Sequence, residues 1–419
     1  MAKRQTSEVA LLSGDPVRIA FIGCGGMSRL HLGSWGALHA RGAAFRVVAA
    51  ADAIEALAAG HAQTAEAWQG HPVSVYTDWR RMIETERPEA VDVCTPHHLH
   101  HEVAAACLEA GVDVIVEKPL GVTLRAARRM VETARRTGRI LAVGEQVRRW
   151  PGPRALGWAA RGEGLLGAPR LVSIQHVGGS RQDPTLTRLP GAMAWRLDRR
   201  QAGGGVVLDV GVHMADMLLH CFGPIRRATA TTSCFGNLPH ADGRRADVED
   251  AASILLEFEQ GFGCTWTHAS VLAGEAVHNN AYHGTGGSVV APGFYPQAPR
   301  FTRWDREQVL EPEAFLGAYL DSLAPEERER LFPAWVAEDP RHAPGPDLGV
   351  RLELAEFLDS VRTRRAPEVG AAEGLSAQAI AATILESAHL GGQPLLVDDV
   401  LSGRVSGYQD PIDQALGLL

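Results

Sequence analysis

The sequence predicts an α/β protein: an N-terminal doubly wound parallel sheet, then a second part built on another sheet that is at least partly antiparallel. Three observations carry this. Continuous apolar runs alternate with amphipathic stretches from Val17 to about Trp150, strand-like segments replace that alternation afterwards, and 419 residues exceed what one hydrophobic core usually serves.

The first part opens with an apolar run, Val17–Ile22, a helix pattern, Gly26–Ala40, a second run, Phe45–Ala51, and a second helix pattern, Ile54–Trp68. This is a βαβ beginning. Strand-like Ala90–Cys94, a helix from His98 to Ala110, strand-like Val112–Val116, a helix from Leu124 to Thr137 and a strand Ile140–Val143 continue it. Strands apolar on both faces belong to a parallel sheet covered by helices on both sides.

Beyond Trp150 the strand candidates are Leu171–Val177, Ala228–Ser233, Ser253–Phe258, Phe262–Ala269 and Ala276–His283. Glu259-Gln260-Gly261 is a hairpin step between two of them, so part of this sheet is expected to be antiparallel. A Pro-, Glu- and Arg-rich stretch, 292–349, has weak periodicity and reads as an insertion or lid-like excursion. Helix patterns at Arg351–Arg364 and Ser376–His389 close the chain. The expected division is a loose tail at 1–15, a first domain at 16–147 and a second at 148–419.

A net charge of -8, with Lys and Arg scattered, leaves no basic patch for nucleic acid or anionic lipid. Cys24, Cys94, Cys107, Cys221, Cys234 and Cys264 lie far apart with no CxxC pair, and read as reduced thiols rather than a zinc site. No apolar run reaches the ~20 residues of a membrane span and no signal-peptide core is present. A soluble, cytoplasmic protein without membrane or nucleic-acid partners is expected.

The first strand runs into Gly23-Cys24-Gly25-Gly26-Met27-Ser28, the context in which a G-x-G-x-x-G turn binds a dinucleotide. The first glycine makes the turn, the second lets backbone approach a pyrophosphate, and the helix N-terminus supplies donors. Ser28 replaces the third glycine and is small enough to keep helix and strand close. The next strand ends at Asp52, where a carboxylate accepts from the ribose hydroxyls of NAD and repels a 2′-phosphate, with no Arg or Lys following. The first domain reads as a Rossmann domain for NAD.

Lys118, in Glu117-Lys118-Pro119, follows a strand and so stands at the crevice where open α/β sheets bind ligands. Farther on, Gly203-Gly204-Gly205 opens a helix pattern from Val206 to His220, in which Asp209, His213, Asp216 and His220 recur at i, i+4, i+7 and i+11. They form one polar stripe on an otherwise apolar helix. Gly211 inside it marks a close approach by another group. His97, His98, His100 and His101, with His268, His278 and His283, complete no carboxylate or cysteine ligand set, and no metal is expected.

These segments together resemble the Gfo/Idh/MocA family, the glucose-fructose oxidoreductase and inositol dehydrogenase group. The resemblance runs from Val17 to about Val397. It rests on the Gly23–Ser28 turn, Asp52, Cys94-Thr95-Pro96-His97-His98-Leu99-His100, Glu117-Lys118-Pro119, Trp195-Arg196 and Asp209-x-Gly211-x-His213-x-x-Asp216. Two departures are His97, where the family commonly has asparagine, and the 292–349 stretch.

The resemblance implies a second domain with a large, mostly antiparallel open sheet that makes subunit contacts and holds substrate over nicotinamide. It implies NAD-dependent hydride transfer at a secondary alcohol or ketone of a sugar, glycoside or cyclitol by a homodimer or homotetramer. Lys118, Asp209 and His213 would carry the chemistry, with Asp209 positioning a hydroxyl and supporting the base; histidine ionises near neutral pH, as a proton acceptor must. Gly23, Gly25, Gly26, Met27, Ser28, Asp52, Thr95, Pro96, His100, Glu117, Lys118, Gln146, Trp195 and Arg196 would contact cofactor. Substrate contacts are expected from Lys118, Arg148, His176, Asp209 and His213, with Asp216 and His220 supporting them. Some relatives recycle bound NAD while cleaving a glycoside, and others of this fold are non-catalytic sensors.

Overall fold

The computed structural model describes residues 15–419 except 162–163, 179–190, 237–242, 273, 337–338 and 341–346. The expected tail falls outside the described residues apart from Asp15.

The first sheet has β1 (Val17–Ile22), β2 (Phe45–Ala51), β3 (Ser74–Tyr76), β4 (Ala90–Val93), β5 (Asp113–Glu117) and β6 (Leu141–Gly144). Interleaved are α1 (Gly26–Ala40), α2 (Glu55–Gln69), α3 (Trp79–Glu86), α4 (His100–Glu109) and α5 (Leu124–Thr137). All strands pair in parallel in the order β3-β2-β1-β4-β5-β6. The order reverses between β1 and β4, which opens a crevice above their C-terminal ends. Two elements escaped the sequence pattern. β3 is three residues long and only partly buried, and α3 is mostly polar and starts at an Asp78 cap that accepts from Arg80 N–H at 2.9 Å.

After α6 (Pro151–Ala160) come β7 (Pro169–Val177), α7 (Arg199–Ala202), α8 (Val206–Asp209) and α9 (Gly211–Phe222). Then follow β8 (Ile225–Ser233), β9 (Ala251–Phe258), β10 (Gly263–Ala269), β11 (Val277–Gly284), β12 (Gly287–Pro292), β13 (Arg300–Arg303) and β14 (Val309–Leu310). The chain closes through α10 (Pro312–Ser322), α11 (Pro325–Leu331), α12 (Asp347–Thr363), α13 (Ala371–His389), β15 (Leu395–Leu396), α14 (Val397–Leu401) and α15 (Asp410–Ala415). The second sheet is nine-stranded in the order β14-β13-β12-β11-β7-β10-β9-β8-β15. Among the described residues, only β7 and β10 of this sheet pair in parallel.

Strand alternation sets the two faces of this sheet. Val172, Ile174 and His176 of β7 turn inward under the helices, while Leu171 and Gln175 are exposed. The inner face carries α13, which packs on β8 and against α9. The 292–349 stretch adds β13 and β14 to the sheet edge and then α10 and α11; strands of four and two residues leave little periodicity to read. No single helix among the described residues is long and apolar enough to cross a membrane.

The Val206–His220 pattern is not one helix. It breaks at Val210 into α8 and α9, and the helical path bends by 46° there. Apolar residues run straight through the break, so periodicity gave no warning. The cause is tertiary. Glu249 accepts from the N–H groups of Gly205 and Val207 at 2.8 and 2.9 Å and ties α8 to the segment that leads into β9, while α9 starts at a residue pressed against an indole. A Cβ on Gly211 would stand 2.8 Å from Cη2 of Trp266, itself buried. The predicted single stripe is therefore corrected: Asp209 belongs to its own short turn, and His213 and Asp216 lie on the next helix.

Gly211→Ala should accordingly destabilise the protein by about 1–3 kcal/mol, the usual cost of overpacking a filled core. Denaturant unfolding would measure this, and unchanged stability would mean that Trp266 is free to move.

Candidate active site

At the end of β1, Gly23 has φ +85°, and a Cβ there would lie 2.6 Å from the carbonyl oxygen of Cys94. Only glycine lets the turn pass this close to the end of β4. Asp52 braces the turn from β2: its Oδ2 accepts from Cys24 N–H at 2.7 Å and its Oδ1 from Ile54 N–H at 2.8 Å. Helix α1 begins after Gly25 with no side-chain cap and no acidic residue in its first turn. A Cβ on Gly25 would meet nothing within 4 Å, and one on Gly26 only Arg29 Nη2 at 4.0 Å. Open space thus faces uncapped N–H donors, which fits a pyrophosphate. Ser28 is buried and its hydroxyl meets His61 Nε2 at 2.9 Å, so the third-glycine position ties α1 to α2.

Lys118 follows β5. Its ammonium donates to the carbonyl oxygen of Asp209 at 2.6 Å and to Oδ1 at 3.0 Å, and the Arg196 guanidinium takes Oδ2. Burial alone would raise the Asp209 pKa, but Lys118 and Arg196 hold it well below the usual carboxylate range. His97 Nδ1 faces the Ala202 carbonyl at 3.0 Å and must donate to it. Burial drives the His97 pKa well below its ordinary value, so its Nε2, 3.8 Å from Asp209 Oδ1, is a neutral lone pair rather than half of an ion pair. Trp195 packs edge-on against His97 at 4.5 Å and lies under Arg196 at 4.7 Å.

His213 is buried on α9, with Nδ1 2.6 Å from Glu145 Oε1. Lys118 lies near enough to Glu145 to lower its pKa, and Tyr295 feels both Glu145 and Asp209. Lys118, Asp209 and His213 therefore share one neighbourhood. A cavity of about 230 Å³ opens beside Asp209, lined also by His97, Arg196, Val210, Asp250 and Ser270. A larger cavity of about 750 Å³ lies beyond Arg149, among Arg154, Arg330, Trp335 and Glu356. Of Lys118, Asp209 and His213, Asp209 lines the smaller cavity and none lines the larger one.

Other expected contacts fall differently. Arg148 is buried and its guanidinium is engaged by both oxygens of Asp216, including Nε to Oδ2 at 2.6 Å. His100 is buried with its ring nitrogens facing the carbonyls of Pro119 and Thr95 at 2.9 and 3.0 Å, a clasp between the β4 and β5 loops. Thr95, Pro96 and Gln146 are half-buried at the strand ends, with Thr95 Oγ1 and Gln146 Oε1 unpartnered. Met27 packs partly buried against the core. His176 stands in register between His268 and His278 across β10, β7 and β11, stacked under Phe294 at 4.2 Å, while His283 is exposed. His220 lies at the far end of α9, 3.4 Å from Arg161.

Several groups went unread in the sequence. Glu145 follows β6 as Lys118 follows β5, and that shared position at the crevice was a usable signal. Beneath Glu117, buried His31 lies between two carboxylates: Nδ1 is 2.9 Å from Asp92 Oδ2 and Nε2 is 3.1 Å from Glu117 Oε1. Trp35 Nε1 donates to Asp92 at 2.9 Å. Burial lowers the His31 pKa, but Asp92 outweighs it and raises the pKa well above its ordinary value. His31 with Asp92 and Cys94, and His31 with Glu117 and Glu353, are close enough to hold a metal ion, but both ring nitrogens already serve the carboxylates. Glu353 on α12 is fully buried, with Nε2 of His31 at 3.9 Å and Nε of Arg149 at 4.0 Å.

Comparison with known proteins agrees with this layout. A family model described as the oxidoreductase family with NAD-binding Rossmann fold matches residues 17–145, and the GFO/IDH/MocA C-terminal domain matches 158–290. Together they take in well over half of the chain. A 1,5-anhydro-D-fructose reductase from Ensifer adhaerens is 31% identical over 50% of this chain and 59% of its own length. The chain thus spans less than two thirds of that relative, and of similarly matched D-apiose and levoglucosan dehydrogenases. The rhizopine catabolism protein MocA of Rhizobium meliloti is 28% identical over 85% of this chain and 98% of its own. Levoglucosan dehydrogenase in complex with NADH and levoglucosan superposes with a TM-score of 0.74 at 23% identity, over 91% of this chain and 99% of that one. At that identity the likeness establishes the fold.

Burial raises the Glu353 pKa well above its ordinary value, reinforced by Glu117 and Glu145 and opposed by His31 and Arg149. A carboxyl raised in the folded state contributes stability below its unfolded pKa of about 4.3 and loses it as pH rises toward the folded value. Glu353→Gln, which has no proton to lose, should flatten the fall in stability between about pH 5 and 8. Urea unfolding of both proteins at the two pH values tests this; equal pH dependence would mean that Glu353 is ionised in the fold.

Proposed function

The chain belongs to the Gfo/Idh/MocA family of oxidoreductases, and from that premise we propose that it oxidises a secondary alcohol of a sugar, glycoside or cyclitol with NAD, or runs the reverse reduction. The observation that carries this reading is the bond from Lys118 to Asp209, with His213 four residues on and held by Glu145, beside a glycine turn and Asp52 that fit a dinucleotide. When bound there, NAD supplies the hydride acceptor.

Gly23, Gly25, Gly26 and the first turn of α1 would hold the pyrophosphate, and Asp52 the adenosine ribose. Asp52 would also repel a 2′-phosphate, which favours NAD over its phosphorylated form. Thr95, Pro96, Glu117, Gln146, Trp195 and Arg196 would border the same crevice and shape its nicotinamide half.

Alcohol oxidation loses a hydride and a proton. His213 would accept the hydroxyl proton, and Lys118 would donate to the same oxygen and stabilise the charge developing on it. Asp209 would hold Lys118 and a neighbouring substrate hydroxyl. His176 belongs to the sheet face reached from His213 through Tyr295 and Phe294, at ring separations of 5.9 and 4.8 Å. The exposed Leu171, Leu255, Val277 and Val290 share the outer face of the second sheet by strand register, and support a homodimer or homotetramer formed through it.

Incubating the purified protein with NAD and a panel of inositols, monosaccharides and glycosides, with NADH followed by absorbance and products by mass, tests the reading. NADH and a ketone in equal amounts are expected. NAD binding without conversion of any compound would contradict it, and cleaved glycoside without net NADH would replace it with a redox-recycling lyase. Lys118→Ala and His213→Ala should each lower turnover by about 10²- to 10⁴-fold while NAD affinity stays unchanged. Near-normal turnover in either would remove that residue from the mechanism.

A further inference from the structure

A catalytic base must present its lone pair to the substrate, and one ring nitrogen of a neutral histidine always carries hydrogen instead. Which nitrogen does so is decided by what the other side of the ring faces. We propose that Glu145 is the positioning residue for His213: it accepts the Nδ1 hydrogen, fixes the ring orientation and leaves Nε2 as the base. This inference rests on the reading of His213 as the proton acceptor.

The geometry is closed on every side. Nδ1 and Oε1 are 2.6 Å apart, with the two side chains only 7% and 3% exposed. A carboxylate only accepts, so the nitrogen facing it must donate. The same Oε1 accepts from Val147 N–H at 3.2 Å, which anchors the carboxylate to the turn after β6. Tyr295 meets the His213 ring edge-on at 5.9 Å. A rotation of either partner would break a buried contact.

Glu145 keeps its charge. Burial would raise its pKa, but hydrogen bonds from His213 and the Val147 amide, with Lys118 nearby, bring it below the ordinary carboxylate range. The other titratable groups facing it are Arg148 and Asp216, which pair with each other, together with Glu353 and Tyr295.

Support of the base, the role that the family resemblance gave Asp209, passes to Glu145. The Asp209 carboxylate bonds to Lys118 and Arg196, and none of its hydrogen bonds goes to His213. In the reaction, the hydroxyl proton would move to Nε2 while the Nδ1 hydrogen stays between the ring and Glu145. The carboxylate faces the imidazolium that forms, and the carbon loses its hydride to NAD, so charge and electrons balance.

Nitrogen-15 NMR of histidine-labelled protein, with the His213 signal identified by its loss in His213→Asn, reads the tautomer without any turnover. Wild type should carry hydrogen on Nδ1 alone; hydrogen on Nε2 would overturn the proposal, whatever the variants do. Glu145→Gln should populate the opposite tautomer and lower kcat by about 10²- to 10⁴-fold. KM and NAD affinity should hold within about threefold, and Glu145→Asp should recover at least about tenfold of the lost kcat. An unchanged tautomer and kcat in a folded Glu145→Gln would reduce Glu145 to a structural contact. Absence of turnover by wild type on every substrate would fail the functional reading instead, and leave the tautomer measurement to decide the role of Glu145.

Discussion

The protein depends on two charged contacts that cross from the first sheet to the helices of the second part. Lys118, just past β5, reaches Asp209 at the end of α8, and Glu145, just past β6, reaches His213 on α9. Both start from neighbouring strands at the edge where a doubly wound sheet binds its ligand. Their partners belong to two helical segments separated by a bend. The break at Val210 lets Asp209 and His213 face different carriers of charge across one crevice. A straight helix would have put them on one stripe and offered both to the same neighbour.

Burying such groups is expensive. A buried ion pair gives little net stability because desolvation cancels most of its Coulomb attraction, and removing one partner leaves an uncompensated charge. The crevice floor distributes that cost. Asp209 shares its charge among Lys118 and Arg196, Arg148 pairs with Asp216, and His31 stands between Asp92 and Glu117. Glu353, whose buried oxygens lie near His31 and Arg149 but accept no hydrogen bond among the described residues, has its pKa driven upward by burial. This arrangement holds the charged side chains in place where solvent is partly excluded and fixed charges act more strongly than in water.

The sequence made legible whatever is local along the chain. Apolar runs of the first sheet, the Gly23 turn, Asp52 at the end of β2 and Lys118 at the end of β5 could all be read from position alone. Asp209 and His213 could be picked out, but their continuous stripe could not survive Glu249 and Trp266, which lie far along the chain and bend the path. Glu145 carried the same positional signal as Lys118 without a motif to mark it. Glu353 carried none, since a buried glutamate on an amphipathic helix looks like an exposed one until α12 is laid across His31 and Arg149. Arg148 illustrates the converse: a cation near the crevice invites a substrate role, yet Asp216 holds it on both oxygens.

The central claim is that a hydride leaves a carbinol carbon for nicotinamide under His213 and Lys118. Its most direct test uses a polyol substrate carrying deuterium on the reacting carbon, quenched with NAD present and followed by mass analysis of the nicotinamide. The account predicts one deuterium on the reduced nicotinamide ring. Substrate consumed with its deuterium retained, or lost to solvent, would contradict it.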